Sequence, residues 1–205
     1  FLMYDSTNEL FFQGSGSQEW VPLDNISENV IMATINTEDK HFYKHFGFDP
    51  LRIVKALFLN ITSGQTKQGA STISQQYAKN LFLDFDKTWE RKLEELWLTL
   101  KLEVGYSKDE ILEGYLNTIN YGHGMYGIEN AAQFYFDKDA KDLTLAEAAL
   151  LVGIPKSPSN YSPLVNYELS KQRQVNILYS LYQNEKITED EYNQAVNEEL
   201  HIVGE

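Results

Sequence analysis

Two glutamates have the type and placement for acid–base work. Glu38 comes at the end of a helical pattern that starts near Asp24, with Ile26, Val30, Ile31 and Ala33 on one face. A helix macrodipole opposes negative charge at its C-terminus, so a carboxylate kept there suits a group that must take up a proton. Glu95 falls within Thr88–Val104. At roughly 100° per residue, Leu93, Leu96, Trp97 and Leu100 form one apolar stripe. Leu98 and Leu102 lie opposite, and Arg91 and Glu95 fall with them. A helix apolar on two faces is expected deep in the core. Glu95 would then be a carboxylate bordered by leucines, one turn from Arg91 and near Lys92. An i,i+4 Arg–Glu pair that only supports the helix is the plainer reading. Likewise, Asp39 and His45 could simply hydrogen-bond to fix the turn after Glu38.

The densest polar string runs from Gly69 through Ser71, Thr72, Gln75, Gln76 and Lys79 to Asn80. If Ser71 opens a helix, its amides and hydroxyls suit an anion such as phosphate, with Gln75, Gln76 and Lys79 within one turn of each other. The alternative is Ser71 as N-cap of a solvated helix face, which leaves the glutamines without a purpose. With four histidines in the chain, His45 is not expected to ligate a metal.

The net charge of −13 argues against a duplex nucleic-acid binder, which needs a broad basic footprint. It does not exclude a local basic pocket. Hydrophobic content of 42% and charged content of 23% fit an ordinary folded domain. The absence of cysteine removes disulfides and thiolate metal sites. No apolar run is long enough to span a bilayer, and no signal peptide is visible at Phe1. A domain excised from a longer product is expected.

The elements that must position these residues are mostly helices. Residues 1–22 read as a strand arm, from Leu2-Met3-Tyr4, Leu10-Phe11-Phe12 and Trp20-Val21. Helices are expected up to Glu38, after Asp49-Pro50, over Ser71–Phe82 and over Thr88–Val104. Three capping boxes open later ones, at Ser107, Thr144 and Thr188. A glycine-rich stretch, Tyr121–Gly127, precedes a helix around Ala131-Ala132, and Gly153 ends another before Pro155. The expected fold class is mainly α with a short N-terminal β arm.

Taken together, these strings resemble the peptidoglycan glycosyltransferase family, the glycan-polymerising domain of class A penicillin-binding proteins and of monofunctional transglycosylases. Glu38-Asp39-x-x-Phe42-x-x-His45-x-Gly47 is similar to its first motif, and Gly69-x-Ser71-Thr72-x-x-Gln75-Gln76-x-x-Lys79-Asn80 to its second. Arg91-Lys92-x-x-Glu95 resembles the third, and Lys108-x-x-Ile111-Leu112-x-x-Tyr115-Leu116-Asn117 the fourth. Ala131-Ala132-x-x-Tyr135-Phe136 and Pro155-Lys156-x-Pro158-Ser159 resemble later blocks. The resemblance implies a lysozyme-like two-lobed helical domain over 23–205, with a head and a smaller, membrane-touching jaw at about 46–68.

The implied reaction is attack by the 4-hydroxyl of lipid II on the anomeric carbon of the lipid-linked growing glycan chain. Polyprenyl diphosphate leaves, with inversion to a β-1,4 linkage. Glu38 is then the base. Glu95 assists the diphosphate, as a proton donor or by holding a divalent cation, Mg or Mn. Lys79, Lys87, Arg91, Lys92 and Lys156 supply positive charge. Asp39, Phe42, His45, Gly69, Ser71, Thr72, Gln75, Gln76 and Asn80 complete the implied substrate site. Many relatives carry Arg where this chain has Lys87, and lysine loses bidentate phosphate binding. The resemblance further implies inhibition by moenomycin-type phosphoglycolipids and cell-wall synthesis partner proteins. It places the domain on the outer face of the bacterial cytoplasmic membrane, anchored by a transmembrane helix outside this chain. No Ser-x-x-Lys nucleophile joined to a second domain is visible, so transpeptidation is not expected here. A glycan-cleaving lysozyme-like enzyme and a non-catalytic precursor-binding scaffold are the competing readings.

Overall fold

The computed structural model describes residues 2–4, 10–13, 19–50, 71–81 and 89–204, with backbone alone for 2–4, 10–13 and 89–91. The helix expected after Pro50, most of the jaw at about 46–68, Gly69 and Lys87 therefore lie outside the described residues, as does the Arg91 side chain. The described chain is mainly helical. It divides into two compact units, one of Phe1–Lys40 with Leu116–Glu205 and one of His41–Tyr115.

The first unit begins with strands β1 (Leu2–Tyr4) and β2 (Leu10–Gln13), paired antiparallel with an irregularity between Met3 and Tyr4. Trp20-Val21, expected as a further strand, is irregular. Its backbone is satisfied differently, by a side-chain amide. Val21 N–H donates to Asn117 Oδ1 and Val21 C=O accepts from Asn117 Nδ2, both at 2.9 Å. One asparagine thus supplies the donor and acceptor that a neighbouring strand would have offered.

Helix α1 (Glu28–Glu38) is capped by Ser27, whose side chain accepts from Asn29 N–H, and buries Val30 and Ala33. The units share α4 (Lys108–Thr118). In the first unit α5 (Ile128–Phe136), α6 (Leu145–Gly153), the short α7 (Pro158–Tyr161), α8 (Tyr167–Gln183) and α9 (Glu189–Asn197) follow. The capping boxes at Thr144 and Thr188 form as the sequence predicts. Helices α1, α6 and α8 pack on one another around Leu150, Leu151, Ile177 and Leu178, all at most 3% exposed. Gln174 Nε2, itself fully buried, donates to Ala146 C=O at 2.7 Å and fastens α8 to α6. The glycine-rich stretch turns through positive φ at Gly122, His123, Gly124 and Gly127. A Cβ on Gly127 would sit 2.7 Å from Asn117 C=O, so only glycine allows that approach.

The second unit contains a 3-10 turn at Phe42–Lys44, α2 (Ile73–Leu81), α3 (Trp89–Gly105) and most of α4. The Ser107 box opens α4, with Glu110 N–H donating to Ser107 Oγ and Ser107 N–H to Glu110 Oε2. Ser107 N–H, and then Ser107 Oγ, donating to Glu110 Oε2 hold that carboxyl below its usual range. Helix α3 does not match expectation. Leu93, Trp97 and Leu100 are 66%, 61% and 38% exposed, and Val104 is 78% exposed. The face of α3 turned inward carries Glu95, Thr99 and Leu102 instead, at 7%, 0% and 1%. The leucine stripe lost the interior because the opposite face has polar groups with partners waiting for them.

Candidate active site

In the second unit the site is built from the start of α2 and the inner face of α3. Helix α2 opens at Ile73, two residues later than the expected start at Ser71, and its cap is Thr72 rather than Ser71. Gln75 N–H donates to Thr72 Oγ1 at 3.2 Å and Thr72 N–H donates to Gln75 Oε1 at 2.9 Å. This is a Thr-x-x-Gln capping box, and it gives Gln75, 6% exposed, the purpose the sequence left open. Thr72 Oγ1 also donates to Gly47 C=O at 2.6 Å. The first and second sequence strings are therefore joined at Gly47, where φ is +77°. A Cβ at Gly47 would meet Thr99 Cγ2 at 2.9 Å and Glu103 Cγ at 3.1 Å, so the turn lies directly on α3.

Glu95 points inward from α3, and its Oε1 accepts from Lys92 Nζ at 2.5 Å. The sequence puts both Arg91 and Lys92 near it; the described pair is with Lys92, whose side chain is 45% exposed, and the Arg91 side chain lies outside the described residues. The carboxylate is thus sealed while its ammonium partner reaches the surface. One turn on, Thr99 Oγ1 donates to the Glu95 C=O at 2.7 Å. One turn further, Glu103, its side chain 3% exposed, accepts from Ser74 Oγ at 2.5 Å and from Lys108 Nζ at 2.7 Å. Lys108 also stands 4.6 Å over the Phe42 ring.

Phe42 is fully buried and packs edge-on to Tyr43 and His45, so it anchors the turn. His45 is half-buried beside it. The i,i+4 spacing of His41 and His45 would suggest a metal pair on an α-helix. The intervening 3-10 turn breaks that alignment, and His41 Nδ1 lies 3.0 Å from Asp49 Oδ2 instead. Gln76 is half-buried and accepts from Tyr115 OH at 3.3 Å. Lys79 is exposed, with Ser71 and Asn80 half-buried.

In the first unit Glu38 is the last residue of α1 and half-buried. Tyr121 is its neighbour: burial, and then the Glu38 charge, push the Tyr121 phenol far above its usual range. Asp39 is 1% exposed and caps the helix, its N–H donating to Ile35 C=O at 2.9 Å. Lys156 is exposed at the end of a 3-10 turn, Ile154–Lys156. The candidate residues thus fall in two sets. Glu38, Asp39 and Lys156 belong to one unit; Phe42, His45, Thr72, Gln75, Gln76, Lys92 and Glu95 belong to the other.

Residues 7–182 match the model of the transglycosylase family. The chain belongs to that family. Its transglycosylase relatives include penicillin-binding protein 2D of Bacillus subtilis, 51% identical over 181 residues that cover 88% of this chain and 26% of that protein. Penicillin-binding protein 1A of Neisseria lactamica is 47% identical over 92% of this chain and 24% of its own length. Penicillin-binding protein 1A of Aquifex aeolicus is 43% identical over 98% of this chain and 28% of its own. The chain thus spans about a quarter of the length of these relatives. The crystal structure of penicillin-binding protein 1A from Haemophilus influenzae has the same fold, with a TM-score of 0.52 at 22% identity, over 98% of this chain and 20% of that one.

Ser74, Thr99 and Glu103 join the polar network of α3 without having been singled out in the sequence, and Lys108, quoted there only within the fourth motif, joins it as the partner of Glu103. The signal for two of them, Thr99 and Glu103, was present. Glu95, Thr99 and Glu103 recur every fourth residue and so share a face. Among the described residues no group of three His, Cys, Asp or Glu side chains could hold an ion. The Glu95 carboxylate is engaged by an ammonium.

Proposed function

We propose that this chain polymerises peptidoglycan glycan, joining lipid II to a lipid-linked growing chain. Membership of the transglycosylase family supports glycan transfer, and the buried Glu95 beside a surface-reaching Lys92 carries the reading for the site. In the step envisaged, Glu38 takes the proton from the acceptor 4-hydroxyl. A bond forms from that oxygen to the donor anomeric carbon on the face opposite the leaving group. The anomeric carbon–oxygen bond breaks, and its electron pair leaves with polyprenyl diphosphate. Inversion to a β-1,4 linkage follows from that geometry.

Glu95 is a positioning residue in this reading. It holds the Lys92 ammonium at the helix surface, where, with Lys79 and Arg91, it meets the developing charge on the diphosphate. No step runs through a metal; a divalent cation would arrive with the substrate diphosphate. Phosphoglycolipids of the moenomycin type would compete for the same cationic groups. No helix among the described residues is long and apolar enough to cross a membrane. The proposed location, the outer face of the bacterial cytoplasmic membrane, therefore calls on an anchor outside these residues.

Incubation with lipid II, read by gel separation of the glycan, tests the reading. Wild type should form polymer. Glu38→Gln should lose on the order of a hundred- to ten-thousandfold in rate, as removal of a general base does. Glu95→Gln should weaken polymerisation while raising the moenomycin concentration needed for inhibition, since Lys92 is no longer held. Shortening of preformed glycan without polymer formation would overturn the proposal, as would an unimpaired Glu38→Gln.

A further inference from the structure

Helix α3 is inside out. Its sealed face carries Glu95, Thr99 and Glu103, while Leu93, Trp97, Leu100 and Val104 stand in solvent. Single exposed apolar residues need no explanation, but a continuous stripe marks a contact surface. The spacing of these four is 4-3-4. At 100° per residue they fall within about 60° of helix circumference, the narrow seam of a coiled coil rather than the broad face of a core helix.

Among the residues with described side chains, the flank of the seam carries one charge of each sign, at equivalent heptad positions, Glu94 and Lys101. They are seven residues apart, about 10 Å along the axis, so they do not pair within one helix. Lys101 Nζ instead lies 5.7 Å from the Trp97 ring. An antiparallel second copy of the same helix completes the pattern. With the two-fold axis between Trp97 and Leu100, Trp97 packs against Leu100 of the second copy and Leu93 against its Val104. Glu94 then faces Lys101 of the second copy, and the symmetry makes that pair twice. The end of the helix is open to such an approach, since a Cβ on Gly105 would meet nothing within 4 Å.

We propose that α3 is a self-association surface, through which two copies of this chain pair antiparallel along Leu93, Trp97, Leu100 and Val104. The proposal is independent of the catalytic reading. One helix per partner buries less than the roughly 800 Å² a side of a standard stable interface, so the dimer is weak and exchanges. The net charge of −13 on each copy opposes it at low salt. At physiological ionic strength screening over about 8 Å leaves the local pairs to decide.

Sedimentation equilibrium of the chain from micromolar to millimolar concentration tests this. Wild type should move from monomer to dimer. Leu93→Glu should stay monomeric across the range, with unchanged helical circular dichroism to show that it folds. Glu94→Lys and Lys101→Glu should each weaken the dimer by roughly tenfold, as two attractive pairs become repulsive. The double variant Glu94→Lys/Lys101→Glu should regain the wild-type constant, because the two-fold swaps the pair with itself. A wild type that is monomeric throughout overturns the proposal, as does a double variant as weak as either single one. So does a monomer that floats with phosphatidylcholine vesicles and loses that property in Leu93→Glu, which would make lipid the occupant.

Discussion

Helices α6 and α3 carry similar numbers of apolar side chains and bury them in opposite ways. In α6 every residue from Ala146 to Gly153 is buried, because α1 packs on one side and α8 on another. In α3 the packed side meets α2 and the Gly47 turn, and that side is polar. A helix surrounded by neighbours buries whatever it carries. A helix with one packed side buries the face whose hydrogen bonds are met. In α3 that face is Glu95 with Lys92, Thr99 with the backbone, and Glu103 with Ser74 and Lys108.

The largest effect that would break this contrast is a core truncation. Leu151→Ala in α6, at a fully buried site, should cost about 2–5 kcal/mol in urea unfolding. Trp97→Ala in α3 removes a larger side chain and should stay within about 0.5 kcal/mol for the monomer, as surface changes do. A Trp97→Ala loss comparable to that of Leu151→Ala would mean that the α3 stripe is a core face after all.

The second effect tests whether the inner face of α3 is held by its polar groups. Glu103→Ala leaves Ser74 Oγ and the Lys108 ammonium without their carboxylate. Because Lys108 keeps 19% exposure, water relieves part of that penalty, and a loss of about 1–3 kcal/mol is expected. Glu103→Gln keeps an acceptor for both donors and should lose less than Glu103→Ala. Equal stability of all three proteins would show that the network contributes nothing to holding α3.

These two helices also show what the sequence could reveal. Capping is local, so the boxes at Ser107, Thr144 and Thr188 were readable from three or four residues, and the helix starts followed. Thr72-x-x-Gln75 is the same device and was overlooked, because the neighbouring Ser71 looked like the better cap. Burial is not local. Periodicity gave the two faces of α3 correctly but not which faced inward, since that depends on Ser74, Gly47 and Lys108, residues up to about fifty positions away in the chain. Of the site, Glu38 at a helix end and Glu95 on an inner face were legible. Which of Arg91 and Lys92 pairs with Glu95 was not, because i,i+3 and i,i+4 spacings serve equally well on a helix; the described pair is with Lys92.

The smallest effect compares the phenols of the two units. In the first unit Tyr121 is sealed, and burial, then the Glu38 charge, raise its phenol far above the usual range. In the second, Tyr43 is 52% exposed and donates to Asp109 Oδ1 at 2.9 Å. Burial first, then that bond and the Asp109 charge, push the Tyr43 phenol up to about 12. A phenol raised above its unfolded value of about 10 contributes stability that is fully present below pH 10 and is lost as pH climbs towards 12. Tyr43→Phe lacks that contribution at every pH. The difference in melting temperature between wild type and Tyr43→Phe should therefore be constant up to about pH 10 and shrink above it. Half of the side chain is in water, so the difference will be small. A gap that stays constant through pH 12 would mean that Tyr43 does not hold its proton against Asp109, and that the surface of the second unit is looser there than its buried network.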